Sequence, residues 1–132
     1  MSCLWSRKAI REHRDELRLP LYGEENYLRA LSKEGLADLD RRSVAHDKSI
    51  EKAGKLVIAQ ALQSVNTSMT VRKRSGKVVV TDGPFAETKE QLLGFVMLEA
   101  DSLDEALEIA GGIPIAEWGT IEVRAVYDVP GR

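Results

Sequence analysis

Apolar residues in this chain recur with two distinct periods, and the switches between them outline the fold. Leu17, Leu19 and Leu21 alternate with Arg18 and Pro20, the period of a half-buried strand. Pro20 confines such a strand to a sheet edge or forces an irregularity, because proline cannot donate to a ladder. Gly23–Asn26 reads as a loop. Ser32 then precedes a long helical pattern over residues 33–53, ended by Gly54 as C-cap. Residues 55–62 form a strand with apolar side chains on both faces: Leu56 and Ile58 on one, Val57, Ala59 and Ala61 on the other. Two β-branched runs, 67–74 and 77–81, meet across Ser75-Gly76 as a hairpin. Residues 94–100 are another strand, with Phe95 and Met97 opposed to Val96 and Leu98. Ser102-Leu-Asp-Glu105 is a capping box. The helix it opens carries Leu103, Ala106, Leu107 and Ala110 on one side and stops at Gly111-Gly112 and Pro114. Thr120 to Tyr127 is the last strand.

Set aside the hairpin and the order is βαββαβ, a ferredoxin-like α+β arrangement with an inserted β-hairpin. Both helices then cover one face of an antiparallel sheet. The second face needs cover as well, and one chain of 132 residues has nothing left to supply it. A homodimer packed sheet on sheet is the expected solution.

Composition narrows the function classes. The length fits one domain that buries roughly two-thirds of its unfolded surface. The net charge is −2, so no strong field gathers nucleic acid or a membrane surface. Arg72, Lys73, Arg74 and Lys77 cluster at the hairpin tip without interleaved aromatics, the pattern of a solvated hairpin rather than a nucleic-acid site. Cys3 is the one cysteine, which excludes an internal disulfide and any multi-cysteine metal site. His13 reads as a surface residue, and neither it nor His46 has ligand spacing with an acidic pair, so no metal and no cofactor is expected. Charges spread through the first twenty residues leave no room for a signal-peptide core, and no stretch approaches a membrane span, so the cytoplasm is the expected compartment. Residues 1–15 read as an appended N-terminal segment, a short helix capped by Ser6, ahead of a domain at 16–132.

Two places carry candidate chemistry. On the long helix, Leu36, Leu39, Ile50 and Ala53 fall within one arc of roughly 100°, and Ser43 and His46 fall inside it. An imidazole set in an apolar stripe is suited to proton transfer near neutral pH, although a core histidine bonded to a carbonyl gives the same pattern. The other place is Asp82-Gly-Pro-Phe-Ala-Glu-Thr-Lys-Glu-Gln91, directly after a β-branched run. Here Asp82, Glu87, Thr88 and Lys89 gather at a strand end. Asp82 suits either a catalytic carboxylate or an Asx-turn. Thr88 and Lys89 suit an anion, helped by backbone N–H groups of a helical turn over 87–92, or else a cap and a solvated lysine. Glu122 and Arg124 share a face of the last strand, as a salt bridge or with Arg124 reaching a carboxylate ligand.

The string Asp82–Gln91 closely resembles the signature of the DGPF branch of the YCII-related proteins, and the resemblance runs from about Leu17 to Val126. It implies a dimeric α/β barrel. It also implies a His–Asp pair as active site, which carries over to His46 and Asp82. Leu93 and Ala125 depart from the family pattern, which has glycine and proline there. The expectation is an enzyme that moves protons on a small polar or anionic molecule, in the manner of a lyase or isomerase. The alternative is a non-catalytic ligand-binding or regulatory module, as the branch's likeness to partners of extracytoplasmic-function sigma factors implies. For either, Ser43, Glu87, Thr88, Lys89 and Arg124 are the candidate ligand contacts beside His46 and Asp82.

Overall fold

A computed structural model describes residues 15–132. The readings made for Cys3, Ser6, His13 and the segment 1–15 lie almost wholly outside the described residues. The elements run β1 (Asp15–Gly23), α1 (Glu25–Ala30), α2 (Lys33–Lys52), β2 (Leu56–Ala61), β3 (Met69–Arg74), β4 (Lys77–Asp82), β5 (Gln91–Ala100), α3 (Leu103–Gly112), β6 (Thr120–Ile121) and β7 (Arg124–Ala125). Single 3-10 turns fill Val65–Thr67 and Pro114–Glu117. The main sheet is ordered β2-β5-β1-β6, with β7 also on β1. All its pairings are antiparallel. This α+β architecture is compatible with a ferredoxin-like fold. β3 and β4 form a separate two-stranded sheet.

β1 lies inside the sheet, not at its edge, and Pro20 produces the irregularity instead. Leu21 pairs with Ile121 and Leu17 with Ala125, one continuous register along the last strand. The ladder is broken at residues 122–123. Glu122 N–H donates to the Pro20 carbonyl at 3.2 Å. The return bond from residue 20 cannot form, because proline has no N–H. The expected strand over 120–127 is therefore seen as two short pieces.

β2 also departs from strict alternation. Leu56 pairs with Leu98 and Ile58 with Met97, so Val57 is the extra residue of a bulge. Leu56, Ala59 and Ala61 then share the inner face, and Ile58 and Gln60 take the outer one. The sequence pattern had put Leu56 with Ile58, because a bulge shifts the period by one.

The helix ends follow their capping signals. Ser32 Oγ accepts from Gly35 N–H at 2.9 Å, and Gly54 follows α2 with φ +74°. In the capping box, Glu105 N–H donates to Ser102 Oγ at 3.1 Å, while the Glu105 carboxylate accepts from Asp101 N–H. Lys55 Nζ lies 3.0 Å from Asp101 and 2.9 Å from Glu105, joining the start of β2 to the start of α3. The hairpin turn uses Ser75 and Gly76 at φ 50° and 75°, both left-handed. Residues 25–30 form α1, so Glu25 and Asn26, read from sequence as the end of a loop, are helical.

The core sits between β1, β5 and α3. Leu17, Leu19, Leu21, Val96, Leu98 and Ala100 close against Ala106, Ala110 and Ile113. Leu107, expected on the buried side of α3, is 46% exposed. α2 is twenty residues long and buries only Ile50.

That asymmetry fixes where stability resides. Leu19→Ala, at a fully buried position, is expected to cost about 2–5 kcal/mol. Leu107→Ala should cost less than about 1 kcal/mol. Urea unfolding of the two variants measures the difference, and equal losses would place the core elsewhere.

Candidate functional site

The inner stripe of α2 faces a cavity rather than packed side chains. Its volume is about 720 Å³, and its walls come from α1, α2, β2, β5 and the segment after α3. Leu36 and Leu39 line it, with Ala59 and Ala61 of β2 opposite. Leu36 is 41% exposed for this reason. A space of this size fits a small organic molecule.

His46 and Ser43 both line this cavity, as do Asp40 and Asp47. Nδ1 of His46 is buried without a hydrogen-bond partner among the described residues. The ring rests on the end of α3: a Cβ added at Gly112 would stand 2.7 Å from His46 Nε2. Burial pushes the Asp47 carboxyl above the ordinary aspartate value, and the neighbouring His46 charge partly offsets this. Asp40 and Asp47 escaped the sequence reading, although they fall about 40° and 20° from Leu36 on a helical wheel, just past the edge of the arc that holds His46.

Glu25 is the one buried charged side chain among the described residues. Its carboxylate accepts from Arg29 at 3.0 Å, from Ser64 Oγ at 2.8 Å and from Val65 N–H at 2.9 Å. Its own N–H donates to Gln91 Oε1 at 2.9 Å. Glu25 thus fastens α1 to the 64–67 turn and to the start of β5, at one wall of the cavity. No local signal marks it, since all its partners except Arg29 are distant in sequence.

The loop after β4 builds a second, smaller cavity of about 420 Å³, whose lining includes Pro84, Phe85, Glu87, Thr88 and Gln91. It shares Leu62 and Ser64 with the first. Asp82 lines neither cavity; it pairs with Met69 at the end of the hairpin and is exposed. The loop's polar groups go largely to backbone. Gly83 N–H donates to Ser68 O at 2.7 Å, and Thr70 Oγ1 to Gly83 O at 2.8 Å. Thr88 Oγ1 donates to Glu90 O at 2.6 Å, and Gln91 Nε2 to Thr88 O at 2.6 Å. No helical turn forms over 87–92; β5 begins at Gln91. Lys89 is exposed and lines neither cavity.

Arg124 stands on the far strand, directly opposite Arg18. The expected ion pair between Glu122 and Arg124 is not among the described salt bridges. Glu122 instead acts on Tyr22, whose phenol is pushed up first by burial and then by that carboxylate. The structure thus brings Ser43 and His46 together, and separately Glu87 and Thr88. It leaves Asp82, Lys89 and Arg124 outside both groups.

The family model for the YCII-related domain matches residues 21–130. The chain belongs to this family. A relative from Rhizobium meliloti (strain 1021), itself an uncharacterised protein, is 41% identical over 115 residues, covering 84% of this chain and 92% of that one. No described helix of this YCII-related protein is long and apolar enough to cross a membrane.

Two outcomes follow from the cavity's geometry. Because the folded Asp47 carboxyl sits above its ordinary value, the native state holds more protons than the unfolded one between the two values. Stability therefore falls as pH rises through that window. Asp47→Asn is expected to unfold at higher temperature than wild type at neutral pH. The difference should vanish in acid, below the ordinary aspartate range; a lower melting temperature at neutral pH would contradict it. Gly112→Ala should displace the imidazole while the fold persists. The check is the His46 ring resonances in NMR: unchanged shifts in a folded variant would refute the contact.

Proposed function

We propose that this protein binds a small organic molecule in the cavity between α2 and the sheet, with His46 as the group that meets its polar end. One observation carries the reading. A twenty-residue amphipathic helix buries a single side chain, and its remaining inner stripe faces about 720 Å³ of space. Folded domains ordinarily cover such apolar stripes, so a helix standing off the sheet leaves surface that a ligand would cover. His46, which lines this space, supplies an imidazole where such a ligand would lie.

Proton transfer by His46 is the enzymatic extension of the same reading. A pair with Asp82, in the manner the DGPF resemblance implies, has less support, because Asp82 lines neither cavity of the subunit. Binding therefore ranks ahead of turnover. The protein would act as a homodimer. Val78 and Val79 point to opposite faces of the hairpin and are 64% and 47% exposed. A two-stranded hairpin with nothing on either face is marginal in water. Ile58 and Met97 pair on the outer face of the main sheet, and a second copy seated there would shield both surfaces, as in a dimeric α/β barrel.

Native mass spectrometry of the purified protein tests both parts, with a dimer mass carrying a small co-purified molecule as the expected result. With that molecule in hand, His46→Ala should weaken binding at least about tenfold and Asp82→Ala less than about threefold. If folded Asp82→Ala loses binding as completely as His46→Ala, the His–Asp pair replaces the present reading.

A further inference from the structure

The charges around the large cavity restrict what it can hold. Four ionised side chains line it, apart from His46: Glu25, Arg29, Asp40 and Asp47. Arg29 is the only lysine or arginine among them. Its two outer nitrogens are committed, one to Asn26 at 2.7 Å and the other to Glu25 at 3.0 Å. Glu25 and Arg29 neutralise each other, which leaves Asp40 and Asp47 with no lysine or arginine partner and only His46 beside them. The nearest arginines along α2 are engaged elsewhere: Arg41 bonds Asp38, and Arg42 bonds Glu117. Neither the exposed Asp40 carboxylate nor the half-buried Asp47 carboxylate makes a hydrogen bond or ion pair among the described residues.

The two carboxylates are seven residues apart on α2, on one side of the helix and about 10 Å apart along its axis. His46 lies beside Asp47, with Leu36, Leu39, Ala59 and Ala61 forming the apolar remainder. A partly buried carboxylate without a hydrogen-bonded cation is costly, and the burial that pushes Asp47 up, against the smaller opposing effect of His46, expresses that cost. A metal ion does not fit this donor set: among the described residues no three His, Cys, Asp or Glu side chains converge on one point.

We infer that the molecule held between α2 and the sheet is an organic cation, an apolar body carrying a protonated amine that Asp47 receives, with Asp40 as the second carboxylate along its path. The inference rests on the binding reading above and adds the charge class of the ligand. An anion would meet two carboxylates there and no free lysine or arginine, which like-charge repulsion disfavours. The residues first read as suited to an anion, Thr88 and Lys89, lie outside this cavity, and the Thr88 hydroxyl is already spent on Glu90.

The test uses matched triplets of small molecules, each a primary ammonium, an alcohol and a carboxylate on the same phenyl, cyclohexyl or hexyl body. They are titrated into the full chain while the His46 ring resonances and cavity methyl groups are followed by NMR. The ammonium member is expected to bind at least about tenfold more tightly than the carboxylate of its triplet. Asp47→Asn should remove most of that preference, and Asp40→Asn a smaller part, with the alcohols binding as before. If the carboxylates bind as well as the ammoniums, the charge assignment is overturned and the binding cavity stands. If the preference survives in both variants and in the double variant, Asp40 and Asp47 are not its source and the assignment is likewise overturned. If no member of any triplet moves a cavity resonance, the binding reading itself fails, and the inference with it.

Discussion

The pairing of β1 with β5 holds the molecule in register, and the way their shared inner face is covered produces the cavity. Leu17, Leu19 and Leu21 alternate along β1, and Val96, Leu98 and Ala100 do so on β5. These six residues close against Ala106 and Ala110 of α3. Alanine on the inner side of a helix lets its backbone approach a sheet closely, and the leucines fill the remaining depth. Once α3 has settled there, α2 has only the β2 side of the sheet to cover. It is fixed near its C-terminal end by Ile50 and at its middle by the Arg42–Glu117 ion pair. Its inner leucines nearer the N-terminus do not reach β2. The cavity follows from two helices sharing one face unequally.

Several details suit a space that is kept open rather than left by chance. Gly94, on the cavity wall, lies where a Cβ would stand 2.4 Å from the Gln60 carbonyl, so β2 and β5 can bring their backbones together only at glycine. Gly112 makes room for the His46 ring in the same way. Asp47 is burdened by its own surroundings. Natural domains carry such local costs where function requires them, because a stability optimum would fill the space and neutralise the charge. A larger residue than Ala59 or Ala61 on β2 would close the gap at little expense; small residues there are consistent with a ligand using the volume.

Much of the framework was legible in the residues. The alternating leucines named β1, Ser32 and Gly54 bracketed α2, and the capping box located α3. What escaped depends on contacts between distant residues. α1 has no side-chain cap, and its Glu25 gains its partners from residues about forty positions away. The bulge at Val57 is invisible to a rule of alternation, yet it decides which side chains of β2 look into the cavity. Pro20 allowed either an edge or an irregularity, and only the fold decides for the second: β1 is interior, and the ladder gives up a bond on one side. The lining of the large cavity was half legible. Ser43 and His46 were found by their angle on α2, whereas Asp40 and Asp47 were passed over because charged residues near the rim of an apolar arc ordinarily mark the solvent boundary.

The loop after β4 has a structural tie to the cavity that needs no chemistry of its own. Thr88 gives its carbonyl to the Gln91 amide. The oxygen of that amide accepts from Glu25 N–H, and the Glu25 carboxylate gathers Arg29, Ser64 and the turn at Val65. Glu25, Arg29 and Ser64 all line the large cavity. A continuous set of hydrogen bonds therefore runs from the loop to the cavity wall. Buried polar groups cost most when one member loses its partner, so a change in the loop that releases Gln91 is felt at Glu25 first. Glu25 is also what engages Arg29, the only cationic side chain on the wall apart from His46. The loop thus supports the charge balance of the cavity from outside it, through the residue that keeps the arginine occupied.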